Sequence, residues 1–169
     1  PVVGVSSLAA SLADFTILGE DHGQLFLSSP LETPEVIEGE IDAAGLGGAG
    51  LHASRSGIAC LIADDDEDAC EMAAEILGFL PDHNGAVAPF VETADPSDRL
   101  NPDLESLVPD NPNRPYDMVK VVEEIVDDGH FMELFEAYAD NIIIGFARLG
   151  GRTVGVIGNQ PKVLAGCLD

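Results

Sequence analysis

The sequence predicts an α/β fold, and three stretches carry that expectation. Ala69, Met72, Ala73, Ile76, Leu77 and Leu80 recur on one face at helical spacing. Met118, Val119, Val122, Ile125 and Val126 make a second apolar stripe, with Asp117 placed to cap it and Gly129 to end it. Asn141 to Leu149 and Arg152 to Gly158 then read as two strands joined by Gly150-Gly151. That dipeptide tolerates positive φ at both positions, which suits the tight turns of hairpins.

The rest of the chain can be placed around these elements. Val2-Val3 is apolar, and Gly4-Val5-Ser6-Ser7 turns small and polar. Leu8 to Ala13 predicts a short helix capped by Ser6 or Ser7. Phe15 to Leu18 and Gln24 to Leu27 predict strands that pair as a hairpin across Asp21-His22-Gly23. Pro34 suits the first turn of a short helix near Glu35-Val36-Ile37. The run Asp64 to Asp68 opens the helix that follows, where the helix dipole favours negative charge. A calcium loop is excluded there, because its sixth position needs Gly and Ala69 occupies it. Phe131, Leu134, Phe135 and Tyr138 predict another helical stripe. Residues 81 to 115 hold seven of the eleven prolines and predict an extended connector, with Asp95 to Leu100 as its ordered core. The expected organisation is one subdomain over 1–80, a connector over 81–115 and the start of a second subdomain at 116–169.

Charge narrows the function classes. The chain has 31 Asp and Glu against 7 Lys and Arg, for a net charge of -24. Nucleic acid and anionic membranes are repelled by such a surface, so neither is an expected partner. The hydrophobic fraction of 46% separates the chain from disordered acidic tails. No apolar run reaches the roughly 20 residues of a membrane span. Cys60, Cys70 and Cys167 lack disulfide or metal spacing and are expected as reduced, core-filling thiols. Together these features predict a cytoplasmic protein, a salty cytoplasm included. The opening Pro1-Val2-Val3, with neither initiator Met nor signal pattern, is expected to be the interior of a longer protein.

Several chemical motifs can be set aside. Gly45, Gly47 and Gly50 match G-x-G-x-x-G, but a dinucleotide site needs a strand before and a helix after. Gly39 to Ala44 makes a poor strand, and Gly57 interrupts the helix. No G-x-S-x-G elbow occurs. His22, His52, His83 and His130 lack metal spacing, so no metal site is expected. Two small-residue turns remain, Gly4-Val5-Ser6 and Leu164-Ala165-Gly166. Each is either a plain structural turn or a cluster of outward backbone N–H groups able to hold a developing oxyanion.

The order of motifs resembles the carboxyltransferase (beta) subunits of biotin-dependent acetyl-, propionyl- and methylcrotonyl-CoA carboxylases. Leu12-Ala13-Asp14-Phe15, then Leu46-Gly47-Gly48-Ala49 with His52 and Ser56-Gly57, carry the first part. Asp95 to Leu100, Tyr116-Asp117-Met118, Asn141 to Phe146, Gly151 to Gly155, Asn159-Gln160-Pro161 and Ala165 to Asp169 carry the second. The resemblance covers nearly the whole chain. It implies a ClpP/crotonase-like spiral: the end of an acyl-CoA-binding N-terminal subdomain, then the start of a biotin-binding C-terminal one. It implies carboxyl transfer from carboxybiotin, held on a partner carrier protein, to a short acyl-CoA such as propionyl-CoA or acetyl-CoA. No metal is implied in this subunit. The implied partners are a biotin carboxylase or biotin carboxyl carrier subunit and further copies in a hexamer-type homo-oligomer.

By the same resemblance, the backbone of Gly4 and Val5 corresponds to the oxyanion hole for the acyl-CoA thioester. Val5 departs from the family's G-G form; its N–H survives, while its Cβ narrows the loop. Ala165 and Gly166 correspond to a biotin-side oxyanion loop. Arg55 is a candidate contact for the CoA phosphates. Half of each composite site is expected beyond the ends of this sequence, so the chain alone is expected to be inactive. Two alternatives share the fold: a biotin-dependent acyl-CoA decarboxylase subunit, and a non-catalytic crotonase-like interaction module.

Overall fold

Short β-rich segments separated by helices favour parallel pairing, because parallel strands need a crossover between them. The computed structural model, which describes residues 1–32, 42–111 and 114–168, has that organisation in its first part. β1 (Val2–Val3) runs parallel to β3 (Leu25–Phe26), and β2 (Ile17–Gly19) runs parallel to β4 (Leu61–Ala63). The expected hairpin between 15–18 and 24–27 is therefore corrected: each strand pairs with a different parallel partner. Thr16 and Ala63 carbonyls extend the β2–β4 ladder by accepting from the amides of Cys60 (2.9 Å) and Glu20 (2.8 Å). The helix expected near 35–37 lies outside the described residues.

The chain's contacts group into two units, Pro1–Ala74 and Glu75–Asp169. In the first, α1 (Val5–Ser11) follows β1 directly. It begins three residues before the predicted helix, and Gly4 rather than a serine stands at its N-cap. Gly4 has φ 71° and ψ -135°, a backbone that side-chain-bearing residues essentially do not adopt. Strand and helix thus meet at a corner only glycine turns cheaply. α2 (Ala43–Gly47) is capped by Asp42, whose side chain accepts from Gly45 N at 2.7 Å. Gly45 and Gly47 of the nucleotide-like pattern thus lie in α2. α3 (Ala49–Leu51) continues into a π-helical turn, His52–Ser56, which ends at Gly57. Leu18, Leu25, Ala49, Ala53 and Ala59 form the buried core of this unit.

α4 (Asp66–Phe79) runs through the division between the units. Its acidic start acts as a cap, as expected: Asp65 Oδ1 accepts from Glu67 N and Asp68 N, both at 2.9 Å. Its last turn belongs to the second unit. Arg148 donates to the Gly78 carbonyl at 2.9 Å, and its guanidinium lies 4.3 Å from the centre of the buried Phe79 ring. Phe146 stacks on that ring at 5.6 Å.

The second unit is a three-stranded antiparallel sheet, β5 (Phe131–Leu134), β6 (Ile142–Leu149) and β7 (Arg152–Asn159), in that order. The Gly150-Gly151 turn is as expected, with φ 57° and 76° and Leu149 opposite Arg152. Asp127 fastens it, one carboxylate oxygen accepting from Gly150 N (2.8 Å) and the other from Gly151 N (2.6 Å). α6 (Met118–Ile125) covers one face through Val122, against Ile143 and Ala147. The helix expected from Phe131, Leu134, Phe135 and Tyr138 is instead β5 and a turn. Met132 and Leu134 are buried while Phe131 and Glu133 face the other way, a period of two that outweighs the helical coincidence. Left-handed φ values at Phe135 (59°) and Ala139 (53°) then break the chain away.

The proline-rich segment 81–115 falls within the second unit. Besides a short helix, α5 (Leu104–Leu107), its ordered part is the predicted one. Arg99 pairs with Asp95 at 2.7 Å and donates to the Glu124 (3.0 Å) and Val126 (3.2 Å) carbonyls, closing the C-terminus of α6. Asn101 reaches the same Glu124, backbone and side chain.

Candidate functional site

In the first unit, the corner at Gly4 determines which amides are free. Gly4 N donates to the Phe26 carbonyl at 2.8 Å, prolonging the β1–β3 pairing. Its own carbonyl accepts from Ser7 N (3.0 Å) and Leu8 N (3.2 Å), which starts α1. The amides of Val5 and Ser6 have no hydrogen-bond partner among the described residues, as helix geometry dictates for a first turn. The expected pair Gly4 and Val5 is therefore corrected at Gly4: a ladder bond holds its N–H. Val5 keeps a free amide, and Ser6 supplies the second. The Val5 side chain is 83% exposed, so it contributes nothing to the core.

The same helix walls a cavity of about 440 Å³. Ser7 and Leu8 line it from α1, Leu25 and Leu27 from β3 and its end, with His52 and Ile58 opposite. His52 is buried and fully engaged: Nε2 lies 3.0 Å from the Leu25 carbonyl and Nδ1 2.9 Å from Ser56 Oγ. A carbonyl can only accept, so Nε2 carries a proton, while Nδ1 is occupied by the Ser56 hydroxyl, which also reaches the His52 carbonyl at 3.3 Å. The ring ties the π-helical turn to β3. It is a wall, with no free nitrogen for acid–base work.

In the second unit, the candidate turn is built from left-handed residues. Leu164, Ala165 and Gly166 have φ values of 47°, 55° and 75°. Gly166 N donates to Val163 O at 2.8 Å and Cys167 N to Leu164 O at 3.1 Å. Of the expected Ala165 and Gly166 pair, Gly166 is therefore corrected, because its N–H closes the turn. Ala165 is exposed, and its N–H has no partner among the described residues. Asn159 Nδ2 donates to the Gly166 carbonyl at 2.5 Å, and Asn141 Nδ2 to the Cys167 carbonyl at 2.8 Å. Both asparagines fall in stretches that carry the family resemblance, but their role as donors to backbone carbonyls 7 and 26 residues away is not marked there. Their signal in the sequence is position: one precedes β6 and the other ends β7.

Asp117 anchors the approach to this turn. It caps α6 by accepting from Val119 N (3.2 Å), and it accepts from Gln160 Nε2 (2.9 Å) and Lys162 Nζ (2.6 Å). Burial alone would raise its pKa, but the Lys162 and Gln160 hydrogen bonds, the Lys162 charge and the Val119 amide outweigh it and leave the carboxyl below its ordinary value. A lowered folded pKa adds stability above the unfolded carboxylate range, about pH 3.9, and that stability is lost as pH falls through the folded value. Asn also caps helices well, so Asp117→Asn isolates the charge. The variant is expected to be less stable at neutral pH by up to about 1 kcal/mol. Thermal melts between pH 7 and pH 2 should show that gap closing below about pH 4.

Other candidates take structural or surface positions. Arg55 is exposed. His130 pairs with Glu75 at 2.6 Å, and His83 Nδ1 accepts from Gly85 N. Cys60 is a core thiol, donating to Thr16 O while burial raises its pKa, but Cys70 and Cys167 are exposed rather than core-filling. No described helix is long and apolar enough to cross a membrane.

The family model for the carboxyl transferase domain matches residues 1–169. The chain belongs to the carboxyl transferase domain family. Its relatives include subunits of both carboxylases and decarboxylases. It is 44% identical over its whole length to the mitochondrial propionyl-CoA carboxylase beta chain of Sus scrofa. It is 43% identical to the methylmalonyl-CoA decarboxylase subunit alpha of Veillonella parvula. This carboxyl transferase chain spans 31% and 33% of those two relatives. Among solved structures, transcarboxylase 12S matches 99% of the chain with TM-score 0.93 and 36% identity, the chain covering 32% of it. That protein assembles as a hexamer and was solved with methylmalonyl-coenzyme A and methylmalonic acid bound. A single-chain, multi-domain long-chain acyl-CoA carboxylase shares the fold, with TM-score 0.78 at 23% identity. The α/β crotonase-like architecture of this carboxyl transferase domain is thus the one its sequence predicts.

Proposed function

We propose that the whole subunit containing this chain transfers a carboxyl group between carboxybiotin and a short acyl-CoA, propionyl-CoA being the favoured substrate. Two unpartnered amides stand at the start of α1, the helix that also walls the first unit's apolar cavity, and this observation carries the reading. Removing the α-proton of an acyl-CoA leaves an enolate whose charge sits on the thioester oxygen. Paired N–H groups fixed in a dry site stabilise that charge without reorganising. Carboxybiotin, on a partner carrier, supplies the carboxyl carbon: its N–C bond breaks, a C–C bond forms at the α-carbon, and the α-proton ends on the biotin nitrogen. The first unit takes the acyl-CoA side, with Val5 and Ser6 as donors and Leu8, Leu25, Leu27 and Ile58 against the acyl group. The second takes the biotin side, with Ala165 N–H as donor.

Similarity to biotin-dependent carboxylase beta subunits, 39% for that of Mycobacterium tuberculosis, supports a biotin carboxylase or carrier subunit as partner. Likeness to transcarboxylase 12S supports a hexamer. Three unpaired thiols support a cytoplasmic setting. The decarboxylase direction is the second reading, favoured by the 43% identity to methylmalonyl-CoA decarboxylase subunits.

Val5→Pro in the full-length subunit tests the acyl-CoA side. Proline is tolerated at the first position of a helix and removes only the N–H there. The variant is expected to melt near the wild type, while kcat for carboxylation of propionyl-CoA falls about 10²-fold or more. Unchanged kcat in a folded variant would remove Val5 from the oxyanion site.

A further inference from the structure

We infer that Asn159 and Asn141 are positioning residues that hold the second unit's turn by its carbonyls and so aim the Ala165 amide outward. The inference rests on the biotin-side reading given above for that turn. Two non-glycine residues, Leu164 and Ala165, stand in left-handed conformations beside Gly166. Each such residue costs on the order of 1–2 kcal/mol relative to an ordinary helical turn, so the conformation persists only where its surroundings enforce it.

The enforcement is visible on the carbonyl side. Gly166 O accepts from Asn159 Nδ2 and Cys167 O from Asn141 Nδ2. Asn159 is the last residue of β7, and Asn141 immediately precedes β6. Gln160 N in turn donates to Asn141 O at 2.8 Å, and Gln160 spans Asp117 and Met118 N with its carboxamide. Asn141 and Gln160 are both buried, so the clamp starts from the sheet and α6 rather than from the loop. The Ala165 N–H shares its peptide plane with the Leu164 carbonyl, which accepts from Cys167 N at 3.1 Å. The carboxamides fix the two peptide units that follow, through Gly166 O and Cys167 O, and so hold Cys167 where its N–H keeps the Leu164–Ala165 plane in place. The Ala165 amide hydrogen is then available to a carboxyl or ureido oxygen on the biotin side.

Asn159 is exposed, which makes it the safer residue to change. Asn159→Asp keeps the shape but turns a donor into an acceptor facing the Gly166 carbonyl. In the full-length subunit, two readouts are needed. The first is transfer from methylmalonyl-CoA to biotin methyl ester: kcat should fall about 10²-fold, with KM for the CoA ester unchanged. The second is independent of activity: amide hydrogen exchange at Gly166 and Cys167 should rise about tenfold, with the melting temperature within a few degrees of wild type. Wild-type kcat or unaltered exchange at 166–167 overturns the positioning role. Should Asn159→Asp fail to fold, Asn159→Ser decides, since it removes the donor without adding charge; full kcat there overturns the inference and reduced kcat at constant KM supports it. Absence of any transfer by the wild-type subunit is a separate outcome, which overturns the proposed function itself.

Discussion

Gly47→Ala is expected to lower the stability of the first unit by about 1–3 kcal/mol or more, seen as a melting temperature several degrees lower. At Gly47 the end of α2 passes so close to β3 that an added Cβ would lie 2.2 Å from the Leu25 carbonyl and 2.7 Å from the Phe26 ring. The nearest obstacle is backbone, so no rotamer change relieves it; β3 itself has to move. β3 is paired with β1, and its Phe26 carbonyl holds Gly4 N. Loss of carboxyl transfer in the full-length variant should therefore accompany the thermal shift. A melting temperature equal to wild type would show that α2 and β3 can separate freely, against the geometry described.

Gly4→Ala is expected to separate catalysis from stability. No atom lies within 4 Å of the Cβ it would add, so packing is untouched. The cost is conformational, about 1–3 kcal/mol for an alanine held at that φ and ψ. Relief comes from rotating the corner, which swings the Val5 and Ser6 amides away from where they point. A kcat about 10²-fold lower is expected, with a modest fall in melting temperature. Steady-state assay of the full-length subunit beside a thermal melt checks this. A folded variant with kcat within threefold of wild type would show that the corner does not set the amides.

Legibility in the sequence followed the range of the interactions. α6 and the β6–β7 hairpin could be read because their signals are local: an Asp cap, a 3.6-residue stripe, two glycines in a turn. The first unit's strand pairing could not. Strands of two or three residues carry no usable periodicity, and neighbours in sequence were taken for neighbours in the sheet. Phe131 to Tyr138 misled because two apolar periods coincide over eight residues, and the partner strand decides between them. At the two candidate turns, the structure shows which of the named amides are engaged: Gly4 N and Gly166 N each have a backbone partner. Gly4 and Gly166 look available in sequence, whereas Phe26 and Val163, which engage their N–H groups, are not marked by any motif. The asparagines and Gln160 were invisible as a clamp for the same reason.

The interleaved pairing in the first unit has a kinetic side. Val2 must find Leu25 and Ile17 must find Leu61, so both ladders wait on the closure of loops tens of residues long, whose entropy is lost before any pairing is gained. The β6–β7 hairpin closes over two residues, Gly150 and Gly151. During synthesis, the later part of this sequence can thus acquire order from its own neighbourhood, while the earlier part remains open until distant segments meet. Apolar side chains of the slower half are the ones left longest in water, and there the growing polypeptide is most exposed to misassociation.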